Sequence, residues 1–145
     1  MFNKNNKFIR IIAVFTVVAM LISTTIFAVE PRSTYIKDYD ISISATGNGK
    51  VKFSVTVESR NVMSIIGCKS IVVYESTDNS NWTYAVSYYD SDYPNFMGAN
   101  KSSHTASLYH QGTAGRYYKA TITVYAGNNS GGGVDYIQTG SVKAK

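Results

Sequence analysis

Hydrophobic and polar residues alternate along most of this chain, and helical spacing is scarce. In "DISISATG" Ile41, Ile43 and Ala45 point one way, and Ser42 and Ser44 the other. "KVKFSVTVES" repeats the pattern, with Val51, Phe53, Val55 and Val57 against Lys52, Ser54, Thr56 and Glu58. Period-two alternation rich in β-branched residues predicts half-buried strands. Between the two runs, "TGNGK" places Gly47 and Gly49 where a tight reversal needs positive φ, so the pair reads as a hairpin. A less regular stretch, "RNVMSIIG", leads to "KSIVVYES", apolar on both faces as expected of a central strand. Further on, Trp82, Tyr84, Val86 and Tyr88 share a face assigned to the core, opposite Thr83, Ala85, Ser87 and Tyr89. In "GRYYKATITVYAG" the even positions from Tyr118 to Ala126 form a continuous apolar face. The odd positions then turn Tyr117, Lys119 and Tyr125 outward. "GNNSGGG" reads as a flexible, hinge-like loop tip; the Lys and Ser/Thr of a phosphate cradle do not follow it. The expected strands are 40–46, 50–58, 69–76, 82–89, 102–110, 117–126 and 134–142.

The first 28 residues are of another kind. Lys4, Lys7 and Arg10 precede an uncharged apolar run, Ile11 to Ala28, which closes on a small residue. That order predicts a secretory signal peptide cleaved after Ala28. The alternative is an uncleaved membrane anchor, because the run approaches the roughly 20 residues a spanning helix needs. No Cys follows the run to carry a lipid, and "SVKAK" at the C-terminus is neither an apolar tail nor a sorting motif. The expectation is a secreted, extracellular protein: signal peptide 1–28, N-terminal extension 29–39 and one β domain over 40–145. No membrane association is expected once the leader is gone.

Removing the leader changes the charge balance. The whole chain is +5, with 14 basic and 9 acidic residues, but three of the basic ones leave with the leader. The remainder is close to neutral, without a Lys or Arg block to track a phosphate backbone, so nucleic acid is not an expected partner. The single cysteine, Cys68, excludes an internal disulfide and enters an apolar run, where a thiol behaves as a small buried hydrophobe.

Particular stretches carry three resemblances. "YESTDNSNWTYAVSYY" resembles the S-x-D-G-x-x-W hairpin of many extracellular β-domains, some of them sugar-binding. Ser76, Asp78 and Trp82 match, and Asn79 stands in the glycine position, where Asn tolerates the left-handed region. "TAGRYYKA" resembles the approach to strand F of immunoglobulin and fibronectin type III domains. That resemblance implies a tyrosine corner at Tyr118, its hydroxyl returning to backbone near Gly112 to Gly115, although a cysteine pair and a strand-C Trp are missing. It also implies a single antiparallel β-sandwich of about seven strands. Through "IGCKSIVVYES", "YPNFMGANKSSH" and "GTAGRYYKATITVYAG" the chain resembles a family of small exported proteins of Gram-positive bacteria. That resemblance brings no activity with it.

The most polar stretch, "YYDSDYPNFMGANKSSHTASLYH", holds the candidate chemistry. His104 and His110 on one strand stand roughly 20 Å apart at about 3.3 Å per residue, too far to share a zinc with bonds of about 2 Å. Asp90 and Asp92 could serve a glycan hydrolase or a weak calcium site, but "DSDYPN" is a ready-made turn sequence and the stretch reads as structural. No cofactor and no catalytic residue is expected. Tyrosine is the outlier, with 12 residues. Tyr89, Tyr117, Lys119 and Tyr125 are the candidate ligand-binding residues, with Asp78, Asn79, Trp82 and Tyr118 structural. The expected function is a non-catalytic binding module for a cell-wall glycan, polysaccharide or surface protein. The alternatives are an assembly protein acting through edge strands, or a small hydrolase using Asp90 and Asp92.

Overall fold

The computed structural model describes residues 33–145, most of them in antiparallel strands. The expected leader and its cleavage point lie outside the described residues. The strands are β1 (Ile36–Gly47), β2 (Lys50–Ser76), β3 (Thr83–Tyr89), β4 (Met97–Gln111), β5 (Tyr117–Asn128), β6 (Gly131–Gln138) and β7 (Val142–Lys143), with a 3-10 turn at Pro94–Phe96 before β4. Among the described residues no helix is long and apolar enough to cross a membrane.

The strand β2 organises everything else. Its 27 residues would span about 85 Å if straight at roughly 3.3 Å each, several times the ~13 Å radius of gyration of a domain this size. It must therefore bend. The sequence reading split it into strands 50–58 and 69–76; the structure runs it through both, because "RNVMSIIG" stays extended and pairs again with β4 from Met63. The bends are register shifts, one between Glu58 and Met63 and one between Cys68 and Ser70. At the first, the buried Ser59 hydroxyl donates to the carbonyls of Asn61 (2.6 Å) and Ser102 (3.1 Å), which satisfies backbone that the bulge unpairs. At the second, Gly67 takes φ +149°, and a Cβ there would run into the Phe96 carbonyl oxygen.

Each limb of β2 has its own neighbours. The N-terminal limb lies between β1 and β4, with Val55 opposite both Ile41 and Ala106. The C-terminal limb lies between β3 and β5, with Ile71 opposite both Tyr88 and Ile122. β6 and β7 pair with the far side of β5. The result is one curled antiparallel sheet, hydrogen-bonded throughout. Val51, Phe53, Val55 and Val57 of one limb and Ile71 and Val73 of the other join Ile122 and Val124 in a single core. β1 begins at Ile36, itself in the core, so part of the expected extension is strand.

Tyr118 pins the loop between β4 and β5. Its ring is buried, its hydroxyl oxygen accepts the Thr113 N–H at 2.8 Å, and its O–H donates to the Glu75 carboxylate at 3.3 Å. Arg116 donates to the same carboxylate at 2.6 Å. Changing Tyr118 to Phe removes both hydroxyl bonds and leaves the packing. Urea denaturation should then show a loss of about 1–2 kcal/mol with an unchanged m-value.

Candidate functional site

Residues opposite one another in an antiparallel pair point to the same face, so the pairing register maps the outside of the sheet. Across β3, β2 and β5 one row reads Tyr84, Tyr74, Lys119. The next, extending to β6, reads Ser87, Val72, Thr121, Gln138, and the one after it Tyr89, Ser70, Thr123, Tyr136. Tyr125 and Val134 continue the face at one end, and Tyr117 with Lys143 at the other. Rows lie about 7 Å apart and neighbouring strands about 4.8 Å. The four residues singled out by parity, Tyr89, Tyr117, Lys119 and Tyr125, thus stand on one face, spread over several rows. The face also carries Tyr74, Tyr84 and Tyr136, whose orientation strand alternation alone left unassigned or, for Tyr84, reversed.

The reversal comes from a bulge. Val86 pairs with Val73 but Tyr84 pairs with Tyr74, so Ala85 is an extra residue and alternation flips there. Val86 and Tyr88 keep the core side, while Tyr84 turns out and is 62% exposed. Trp82 follows Tyr84 outward. It is only half-buried, stands outside the core cluster, and lies beneath Lys119, whose Nζ is 4.5 Å from the ring centroid. The assignment of that face to the core therefore holds for Val86 and Tyr88 and is corrected for Trp82 and Tyr84. Trp82, Tyr74, Lys119, Thr121 and Gln138 line a shallow depression of about 210 Å³. A larger hollow of about 430 Å³, lined by Ser33, Thr34, Ile36, Lys37 and Arg60, contains no aromatic ring.

The turn before Trp82 is built by Asp78. Its carboxylate accepts the backbone N–H of Asn81 (2.8 Å) and Ser80 (2.9 Å), the Asn81 side-chain amide (2.6 Å) and the Ser76 hydroxyl (2.8 Å). These bonds hold its pKa far below the usual carboxylate range, the Asn81 N–H contributing most. Asn79 takes the left-handed conformation, φ +60°.

At the other end the glycines are not a loop tip. Gly131, Gly132 and Gly133 open β6, opposite Asn128, Gly127 and Ala126. Side chains would collide there with the Tyr125 hydroxyl above Gly127 and Gly132, and with Tyr35 at Gly131. The missing side chains let Tyr125 lie against the hairpin, with Lys69 over its ring at 5.4 Å.

The remaining candidates are tied into the fold. Asp90 pairs with Lys69 at 3.4 Å, and Asp92 donates its N–H to the Tyr89 carbonyl in the turn that delivers buried Phe96 to the core. Neither lines the Trp82 depression. Both histidines lie on β4, His104 with Nε2 2.9 Å from the Asn95 carbonyl and His110 with Nδ1 2.8 Å from the Tyr88 hydroxyl. Burial pushes the His110 pKa down, favouring the neutral ring. Cys68 is buried, its Sγ donates to the Ser70 carbonyl, and burial pushes its pKa up to about 12. The chain matches no family model and no curated protein.

Two predictions follow from this chemistry. The stability that the Asp78 carboxylate contributes is present above the ordinary aspartate value of about 4 and lost as pH falls towards its depressed pKa. Denaturation of the parent and of Asp78→Asn should therefore differ at pH 7 and converge in acid. Cys68 should resist a thiol reagent at pH 8 in the native protein and react fully once denatured. Rapid native labelling would show that the thiol is reachable.

Proposed function

We propose that this chain is a secreted, non-catalytic binding module that holds an extended glycan against the outer face of β3, β2, β5 and β6. The observation that carries this reading is the segregation of aromatic side chains. Trp82, Tyr74, Tyr84, Tyr89, Tyr117, Tyr125 and Tyr136 share that face. The outer face of β1, β2 and β4 instead presents Ser42, Ser44, Ser54, Thr56, Thr105 and Ser107, with Tyr109 its one exposed ring among these strands. Strand propensity and cross-strand pairing favour Tyr on any exposed face, and do not account for so uneven a division. Aromatic rings give broad, rigid contacts with a polar tip, suited to the apolar faces of sugar rings. The Trp82 depression is smaller than the ~300–1,000 Å³ pockets that enclose small molecules. It suits one unit of a chain lying along the surface, and no carboxylate lines it for hydrolysis.

The same reading takes the domain as immunoglobulin/fibronectin type III-like and akin to small exported Gram-positive proteins. Two features support that build. The strand order β1, β2, β4 on one limb and β3, β2, β5, β6 on the other matches a sandwich whose two sheets are joined through one long strand. The Tyr118 hydroxyl returns to backbone at Thr113, within the interval a tyrosine corner uses. Export agrees with the basic and apolar N-terminal sequence.

The test is a pull-down of the full chain with isolated Gram-positive cell walls and insoluble polysaccharides, beside a Trp82→Ala, Tyr84→Ala variant whose circular dichroism matches the parent. Retention of the parent with at least tenfold weaker retention of the variant is expected, since stacked aromatics at a binding site contribute about 1–3 kcal/mol each. Equal retention of both would dismiss the aromatic face. Concentration-dependent self-association without glycan binding would favour assembly through the open edge strands.

A further inference from the structure

The binding face has a charge as well as an aromatic character. Lys119 lies 4.5 Å over Trp82, Lys143 5.4 Å over Tyr117 and Lys69 5.4 Å over Tyr125. Lys69 is neutralised by Asp90 at the end of β3. Lys119 and Lys143 form no salt bridge among the described residues, and every outward position of the rows around them is neutral or basic. The nearby acids are already engaged. Glu75 holds Arg116 and the Tyr118 hydroxyl, and Asp78 is saturated by its own turn. The opposite outer face is mixed in sign, with Asp40 and Glu58 on the same face as Lys52.

We propose that the glycan held on this face is polyanionic, with its carboxylate or phosphate groups met by Lys119 and Lys143. This rests on the glycan-binding reading and narrows the ligand class. Lys143 is opposite Tyr117, and Lys119 is two residues further along β5. Their Cα atoms are therefore roughly 8 Å apart, from one strand spacing and two residue rises. The two cations can meet successive charges along one chain while the neighbouring rings Tyr74 and Tyr84, in the same row as Lys119, contact its sugars. The rings also prepare the lysines. A cation held over an aromatic face has given up part of its rotamer freedom before the ligand arrives, which lowers the cost of binding. A neutral glycan gains nothing from this arrangement.

The experiment measures binding of the full chain to polygalacturonic acid, to a teichoic acid and to a neutral polysaccharide, at low and at moderate salt. Three proteins are compared: the parent, Lys119→Gln with Lys143→Gln, and a control carrying Lys52→Gln with Lys101→Gln at the same net charge. The parent should prefer a polyanion to the neutral chain, and the preference should shrink with salt. The face variant should lose roughly tenfold in polyanion affinity, as two exposed charge contacts would give, and keep any neutral binding. The control should match the parent. A preference for polygalacturonic acid or for teichoic acid decides between carboxylate and phosphate. Equal binding of neutral and charged chains, or equal losses in face variant and control, would overturn the proposal and leave glycan binding standing. No binding to any chain, with the Trp82→Ala, Tyr84→Ala variant indistinguishable, would overturn both.

Discussion

The continuity of β2, one strand shared by both limbs, is the constraint on which the domain depends. With no disulfide to close it, the two limbs are held to each other by one strand that belongs to both and by the core between them. Every buried backbone polar group must find a partner, and a strand turning through a domain threatens that rule at each bend. Here the bends are local: Ser59 supplies a hydroxyl to two carbonyls at one, and Gly67 supplies a conformation at the other. Between the two bends, from Ile65 to Gly67, β2 pairs with β4 on one side and β5 on the other, so this short stretch belongs to both limbs.

This spine also sets the two outer faces apart. Because the limbs present their apolar sides to the same core, their polar sides look in different directions and acquire separate chemistry. One is covered by short hydroxyl side chains in cross-strand pairs, such as Ser54 with Ser107 and Thr56 with Thr105, each at 2.8 Å. The other gathers rings and lysines. The bulge at Ala85 belongs to the second face, for without it Trp82 and Tyr84 would be directed at the core. One inserted residue therefore converts two aromatic side chains from packing to surface.

Several parts of the structure were legible in the sequence because they depend on neighbours along the chain. Alternation identified the hairpin around Gly47 and Gly49 and the apolar face from Tyr118 to Ala126, since a strand half-buried on a core must alternate. The Asp78 turn was readable for the same reason: its donors lie within three residues. The outward positions of Tyr89, Tyr117, Lys119 and Tyr125 followed from parity within unbroken stretches of strand.

What the sequence alone could not decide were features set by partners distant in the chain. "WTYAVSYY" alternates acceptably in either parity, because Trp, Tyr, Val and Ala all tolerate a half-buried sheet face; pairing with β2 placed the bulge at Ala85. "RNVMSIIG" lacks a clean period, because its residues face solvent at a bulge and then two different strands, so its continuity with the flanking strands emerged only from β4 and β5. "GGG" reads as flexibility in isolation and becomes strand where Tyr125 and Tyr35 fill the space its side chains would have taken. Sequence fixes period and turn chemistry through local sterics, whereas register, bulges and the company each ring keeps arise when separate segments must share hydrogen bonds and one core.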